Sequence, residues 1–234
     1  MLETHLMKIT KKTAKPTHKE PSQGLPEAKL GTKERIVETS RILFNEHGVE
    51  AVTVRHIADA VGISHGNLCY HFPRKEDIIL RHYHAVVEGM NAQVAAWNPE
   101  HLNLSMILDA LLKSYELQYH HKFLMVEFVN IMRRIPEIRE HFRSLFAVRK
   151  QQFGFALMLL QHKNIIKEMS DVERERISLH NYLMGDFWMS EAEILYAGEE
   201  SEKCRFYAHL ASALLYPYLT ARGRKEFDAF WESE

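Results

Sequence analysis

The chain has 234 residues, 46% hydrophobic and 26% charged, which is typical of a folded globular protein with one or two domains. Its 10 glycines and 7 prolines are too few for the many tight turns of an all-β sandwich or barrel. No uncharged apolar run approaches the roughly 18 residues of a membrane-spanning helix, so no membrane partner is expected. The net charge of −1 does not decide on a nucleic-acid partner, which requires a basic face rather than a basic chain.

Residues 1–31 are predicted to be a disordered basic tail, with six lysines, three glutamates and few bulky apolar residues. The tail lacks the apolar segment of a secretory signal. The two cysteines, Cys69 and Cys204, are far apart, which favours a reducing compartment and a cytoplasmic location. The N-terminal tail could follow DNA phosphates or enter a minor groove, or it could be an inert extension, and both interpretations stay open.

Residues 32–82 are predicted to form three helices. The first extends from Thr32, a possible cap, to the break at Gly48, and two short helices follow over residues 54–61 and 65–71. Capping and turn residues mark the ends of the short helices: Thr53, Gly62 and Ser64. Two short helices joined by a tight glycine turn and braced by a longer helix predict a helix-turn-helix.

The third helix carries hydrogen-bonding side chains on the surfaces that its core residues leave free. Leu68 and Phe72 lie four residues apart and are expected to face the core. Gly66 would allow another backbone to approach closely. In a helix-turn-helix this helix enters the DNA major groove, whereas the alternative interpretation is a solvated face of a small bundle. The outward hydrogen-bonding residues are His65, Asn67, Tyr70 and His71.

The segment ILFNEHGVEAVTVRHIADAVGISHGNLCYHFPRKEDIIL, within residues 32–80, resembles the N-terminal domain of TetR-type transcriptional regulators. The resemblance implies phosphate contacts by Thr53 and Lys75 and a groove or backbone contact by Arg55. It also implies base contacts by His65 and Asn67, and backbone or thymine-methyl contacts by Tyr70 and His71. Two residues depart from the usual pattern, since Cys69 replaces a tyrosine and Ser40 an alanine. The full predicted DNA-binding set is Thr53, Arg55, Ser64, His65, Gly66, Asn67, Tyr70, His71 and Lys75.

Residues 83–234 are predicted to form a helical bundle, so the expected fold class is all-α with an N-terminal helix-turn-helix domain. The resemblance implies that this second domain binds a small effector and forms a homodimer. A helix over residues 74–97 joins both domains and is expected to act as a lever between them. Pro217 should kink or shorten the last helix. Further helices are predicted at about 103–121, 122–134, 137–163, 171–196 and 201–221.

Large, adaptable side chains in the bundle could line an effector pocket, although each one could equally be ordinary core. The predicted ligand-binding residues are Phe123, Phe128, Met132, Phe153, Met158, Met184 and Trp188. The polar candidates at the same level are Asn130, Gln152, Asn181 and Asp186.

The helices over 171–196 and 201–221 carry a large apolar load that suits packing against a second copy. Burial within one chain is the competing interpretation. The residues concerned are Ile177, Leu179, Leu183, Phe187, Phe206, Leu210, Ala213, Leu214 and Leu215.

No nucleophile or nucleotide-binding motif occurs, and no two histidines lie three or four residues apart, so no enzyme, metal or cofactor is expected. The predicted function is a sequence-specific DNA-binding regulator, a repressor released from a palindromic operator by a small, largely apolar ligand. One alternative is a DNA-binding protein without an effector that acts in chromosome organisation or through a protein partner. Another is an enzyme or metal-binding bundle with a vestigial helix-turn-helix. A redox role for the Cys69 thiol also stays open.

Overall fold

The computed structural model describes residues 31–233, and the predictions on the N-terminal tail lie outside this range. The described range is all-α, as predicted, with no β-strand beyond an isolated bridge between Ile166 and Leu219. Short 3-10 helices cover Glu200–Glu202 and Ala213–Tyr218. The α-helices are α1 (Thr32–Ala51), α2 (Val54–Val61), α3 (His65–His71), α4 (Lys75–Ala95), α5 (Leu104–His120), α6 (Lys122–Val126), α7 (Phe128–Arg134), α8 (Pro136–His162), α9 (Asp171–Leu195), α10 (Lys203–Ser212) and α11 (Ala221–Glu232).

The predicted helix-turn-helix is formed by α2 and α3. The Thr53 hydroxyl accepts a hydrogen bond of 3.2 Å from the backbone N–H of His56 and caps α2. Gly62 ends α2 in the left-handed conformation, with φ of 75°. Gly48 also has a positive φ, 77°, and breaks the helical geometry inside α1. Thr32 is the first helical residue rather than the cap, since Gly31 occupies the N-cap position of α1.

Two helix boundaries differ from the prediction, and one helix was not predicted. The helix predicted over 122–134 is divided at Glu127 into α6 and α7. The helix predicted over 201–221 ends at Ser212 and continues as the 3-10 helix that contains Pro217, because proline has no N–H for an α-helical bond. The sequence prediction missed α11, which the Thr220 hydroxyl caps by accepting a hydrogen bond from the Gly223 N–H.

One hydrophobic cluster holds the helix-turn-helix against the bundle. It contains buried residues from α1 to α4, such as Phe44 and Ile79, together with Phe123, Ile131 and Ile138 from α6, α7 and α8. The predicted domain boundary between residues 82 and 83 therefore falls inside a continuous core. Two further clusters fill the bundle itself, one between α5, α8 and α11 and the other between α5, α9 and α10.

Within residues 31–233, no helix combines the length and the apolar character that crossing a bilayer requires.

Candidate nucleic-acid interface and ligand cavity

A single buried side chain and a side-chain cap hold α3 in place. The Ser64 hydroxyl accepts a hydrogen bond of 3.1 Å from the backbone N–H of Asn67. Leu68 is fully buried, and Phe72 is buried directly after the helix, so both face the core as predicted. A seven-residue helix has little intrinsic stability, and its position is therefore set by this anchor and by the turn at Gly62.

The remaining surface of α3 is open to solvent. Tyr70 is 83% exposed, although a large aromatic ring is usually at least partly covered in a folded protein. His71 is half-buried. The exposed members of the predicted DNA-binding set are Thr53, Arg55, Ser64, His65, Gly66, Asn67 and Tyr70.

Packing inside the protein does not explain why position 66 is a glycine. A Cβ added at this position meets no atom within 4 Å, and the residue has no positive φ. Glycine in a helix lowers stability by about 0.5–1 kcal/mol relative to alanine. An external surface that approaches the α3 backbone closely would explain the glycine.

Lys75 is half-buried, and its ammonium is bound to the end of α1. Its Nζ donates to the carbonyl oxygens of Val49 at 2.6 Å and Val52 at 3.0 Å, and burial lowers its pKa. The side chain therefore satisfies backbone groups at the end of α1. The implied phosphate contact of this side chain stays a prediction, since the ammonium carries a third proton beside the two that the carbonyls accept.

Cys69 is half-buried, with its Sγ 3.6 Å from Nε2 of His65 one turn earlier. Cys204 is buried, and burial raises the pKa of its thiol to about 11, which makes that thiol unreactive. A redox role for Cys69 stays a prediction.

Polar contacts connect α1 directly to the α5–α6 junction. The carbonyl of His120 accepts hydrogen bonds from Nη1 of Arg41 at 3.1 Å and from Nδ2 of Asn45 at 3.0 Å. The Asn45 side-chain oxygen in turn accepts from the backbone N–H of Phe123 at 3.1 Å. The two parts of the chain are thus joined independently of α4.

A second connection runs through α7. The Arg134 guanidinium bridges Glu50, at 2.5 Å, and Glu76, at 2.8 Å. The Glu127 carboxylate accepts a hydrogen bond of 2.6 Å from the backbone N–H of Val49. Movement of α6 or α7 would therefore displace the end of α1 and the start of α4, which flank the helix-turn-helix.

The bundle contains a partly open cavity of about 180 Å³, the main cavity, between α4, α5, α8, α9 and residues 211–215. This volume is an order of magnitude larger than a single water molecule requires. Of the predicted residues, Phe153, Gln152, Asn181 and Asp186 line it. Much of the wall is apolar and includes Trp97, Ile107, Leu108, Leu111 and Leu215.

A smaller cavity of about 60 Å³ adjoins the main one. The predicted residues Phe128 and Met132 line it. Its other walls include Val87, Leu124 and Ile131, which belong to the core shared with the helix-turn-helix. Both cavities are lined by Met90, Gln118, Arg149 and Asp186.

Four of the seven predicted ligand-binding residues line neither of these two cavities. Phe123 packs on Phe44 in the shared core, with ring centroids 5.0 Å apart. Trp188 is buried and donates to the side-chain oxygen of Gln118, so it lies behind the cavity wall. Met158 is 54% exposed, and Met184 packs against the core between α5, α9 and α10. Asn130 is also exposed and lines neither cavity.

The sequence prediction missed Arg149, a charged residue in the wall of both cavities. Phe142, Phe146 and Phe153 lie at helical spacing around it, so Arg149 stands within an apolar stripe of α8. A cation within such a stripe is the signal that could have identified it.

Burial shapes the electrostatics of the main cavity. Desolvation raises the pKa of the Asp186 carboxyl to about 6, against a smaller opposing effect of the Arg149 charge. Desolvation also lowers the pKa of Arg149 and raises that of Tyr182. The hydroxyl of Tyr115, another wall residue, is buried without a hydrogen-bond partner in the described part of the chain.

No group of three or more His, Cys, Asp or Glu residues within 31–233 is arranged to hold a metal ion.

Comparison with known families matches both parts of the chain. Residues 36–81 match the model of bacterial regulatory proteins of the tetR family, and residues 86–227 match a TetR model described as a bacterial transcriptional repressor. The chain belongs to the TetR family.

Individual relatives agree with this membership. The HTH-type transcriptional repressor KstR2 of Rhodococcus jostii is 43% identical over 51 residues, which are 22% of this chain and 25% of that protein. The regulator YerO of Bacillus subtilis is 27% identical over 158 residues, or 64% of this chain and 54% of that protein. The aligned regions thus span about a quarter and about half of these relatives. A TetR-family regulator from Marinobacter aquaeolei has the same fold, with a TM-score of 0.79 and 23% identity over 87% of this chain and 98% of that one.

The chain also exposes an apolar stripe on α9. Its members lie at helical spacing, and Leu183 is 60% exposed while Ile194 is 80% exposed. Leu210 on α10 is 41% exposed, whereas Ile177 and Leu215, which were predicted for the same surface, are buried within the chain. The α9 stripe consists of Val172, Leu179, Leu183, Phe187 and Ile194.

Proposed function

We propose that this protein is a homodimeric transcriptional repressor that binds a palindromic operator and is released by a small ligand. The observation that carries the DNA-binding part is the surface of α3. This helix is anchored by Leu68 and presents Asn67 and Tyr70 to solvent beside the open backbone of Gly66. Such a helix matches the recognition helix of a helix-turn-helix, which places its N-terminal residues on base edges.

Several side chains of this surface carry hydrogen-bond donors or acceptors that suit contacts with DNA. The Asn67 amide can donate and accept at the same time, which suits an adenine edge, and the His65 imidazole can bond to base acceptors. Arg55 is exposed, so its guanidinium is free to reach a phosphate or a groove edge. The Thr53 and Ser64 hydroxyls already accept backbone hydrogen bonds, and each retains its own proton for a phosphate oxygen.

The α9 stripe supports the homodimer. Exposed apolar residues that follow one helical face are expected to be covered by a partner. A second copy is the partner that a palindromic operator requires, because two-fold symmetry places one recognition helix on each half-site. The two helices would then lie roughly 34–36 Å apart, or a multiple of that distance.

The cavity supports regulation by a ligand. The smaller cavity shares walls with the core that holds the helix-turn-helix, and α6 and α7 contact α1 and α4 through Asn45, Glu127 and Arg134. A ligand that prefers a different arrangement of α4, α6 and α7 would shift the dimer away from the spacing that DNA requires. Ligand and operator would then weaken each other's binding by the same factor.

This cavity favours a ligand-regulated protein over a DNA-binding protein without an effector. The alternative of a metal-binding bundle has no group of three or more His, Cys, Asp or Glu residues in the described range to support it.

Selection of duplexes from a random pool tests the proposed function. The full-length protein should enrich a palindrome, and it should bind that duplex far more tightly than a scrambled one at the same salt concentration. Enrichment of no sequence, or equal affinity for both duplexes, would contradict the proposal.

A further inference from the structure

Arg149 occupies an unusual place for a permanently charged side chain. It lies on an apolar stripe of α8 and forms part of the wall where the two cavities meet. Arginine cannot escape the cost of burial by losing its proton within the physiological range, because its pKa is too high. The chain therefore keeps a cation between two largely apolar cavities.

The guanidinium is incompletely satisfied by the protein. Its Nη2 is buried and has no hydrogen-bond partner in the described part of the chain. Burying a charged donor without an acceptor costs more than leaving a neutral one unpaired. A ligand that supplies an acceptor to this nitrogen would recover that cost on binding.

Asp186, an acidic side chain in the same wall, does not supply the missing acceptor for Arg149. Asp186 lines both cavities and attracts Arg149, but no hydrogen bond or ion pair within 4.0 Å joins the two among the described residues. Burial holds the pKa of its carboxyl near 6. Unlike Arg149, Asp186 can become neutral by taking up a proton, and a second carboxylate nearby would favour that protonation. Arg149 therefore still lacks an anionic partner when Asp186 is protonated.

We propose that the ligand of this cavity is a small apolar molecule with one carboxylate, and that Arg149 binds the carboxylate. The inference rests on the proposed function, since it gives a chemical class to the effector of that cavity. A carboxylate accepts two parallel hydrogen bonds from a guanidinium, which an alcohol or amide cannot do. Trp97, Leu108 and Leu111 would cover the apolar body. Protonated Asp186 could donate to the carboxylate from the opposite helix.

Matched probes test the charge preference on the unaltered protein. Decanoate, decanamide and decylamine share a chain and differ in their head groups, and naphthylacetate with its amide offers a second, aromatic shape. Titration calorimetry and the change in Tm should show binding of at least one carboxylate and weaker binding of its amide and amine. Failure of both carboxylates to bind, or tighter binding of decylamine, would overturn the proposal.

Variants then assign the preference to Arg149. Arg149→Met should weaken binding of the carboxylate by about ten- to a hundredfold, the usual range for hydrogen bonds to a charged group, and leave binding of the amide unchanged. Arg149→Lys should retain part of the affinity, because it keeps the charge and loses the paired geometry. Asp186→Asn should bind the carboxylate as well as or better than the unaltered protein.

The control is Arg143→Met, the same substitution at an exposed site on α8, which should change nothing. Unchanged carboxylate affinity in Arg149→Met, or loss of binding in Asp186→Asn alone, would overturn the assignment. Operator affinity without ligand is measured on every variant. A protein that binds its operator but no carboxylate refutes this inference alone, whereas one that binds no operator refutes the proposed function.

Discussion

The hydroxyl of Ser40 and the imidazole of His82 form a buried hydrogen bond of 2.9 Å that joins α1 to α4. Ser40 donates its own proton to the carbonyl of Val37 at 2.8 Å, so it accepts from Nε2–H of His82. Both residues are fully buried. The ring of His121 lies beside His82, with centroids 5.2 Å apart. This pair fixes the first helix against the helix that leads into the bundle.

Removing one partner of this bond should be costly. Ser40→Ala leaves the His82 N–H buried without an acceptor and should lower the free energy of unfolding by about 1–3 kcal/mol. His82→Leu should make the loss of the serine hydroxyl much less harmful. Denaturant unfolding of both single variants and the double variant measures this coupling. Strictly additive effects would show that the hydrogen bond contributes nothing.

Acid should destabilise the fold through the same cluster. Burial lowers the pKa of His82 to about 3 and that of His121 to about 4, from an ordinary 6.5. Below pH 6.5 these two histidines bind protons in the unfolded chain but stay neutral in the folded chain. The free energy of unfolding is therefore unaffected by them above pH 6.5 and falls as the pH is lowered towards 4. Each such proton adds about 1.4 kcal/mol per pH unit to the slope. His82→Gln should flatten the slope between pH 6 and pH 4, and an unchanged slope would refute the assignment.

Substitutions at Lys75 and Arg55 should distinguish a basic residue that stabilises the fold from one that contacts DNA. Lys75→Met should lower Tm, because the carbonyls of Val49 and Val52 lose their donor. Arg55→Met should leave Tm unchanged and reduce the slope of log affinity against log salt by about one unit, as expected for one lost phosphate contact. The reverse pattern would assign the phosphate contact to Lys75.

The α9 stripe should hold the dimer together. Leu183→Glu places a charge on this surface and should convert the protein to a monomer in analytical ultracentrifugation, with a large loss of operator affinity. Val129→Glu on α7, at a residue 49% exposed outside the stripe, serves as the control and should stay dimeric. A dimeric Leu183→Glu protein would place the interface elsewhere.

Most of the local capping and turn signals, although not the predicted cap at Thr32, gave the correct helix ends. Thr53, Gly62 and Ser64 cap or end helices through bonds to residues at most four positions away, so their roles follow from neighbouring residues. Pro217 likewise ended an α-helix for a reason local to its own backbone. The segment after Leu219 carries few apolar residues in its first turns, which is why α11 was missed.

Tertiary partners decided the rest. Lys75 lies 26 residues after Val49 in sequence, and nothing in the local pattern shows that its ammonium turns back to that carbonyl. Phe123 and Phe153 are alike as sequence, yet one fills a core and the other lines a cavity, because a void is a property of several helices together. Arg149 could have been predicted from the sequence, since a cation between Phe146 and Phe153 interrupts an apolar stripe.

The most direct test of the central claim is the affinity of α3 variants for the selected duplex. Gly66→Ala adds a methyl group that the free protein accommodates, so Tm should be unchanged or higher, while Asn67→Ala removes an exposed amide. Gly154→Ala, a helical glycine on α8 that is equally open, is the matched control. The account predicts that Gly66→Ala and Asn67→Ala each lose about 1–3 kcal/mol of operator binding, with relaxed sequence preference for Asn67→Ala, and that Gly154→Ala loses none. Binding equal to that of the unaltered protein in both α3 variants would show that this surface does not contact DNA.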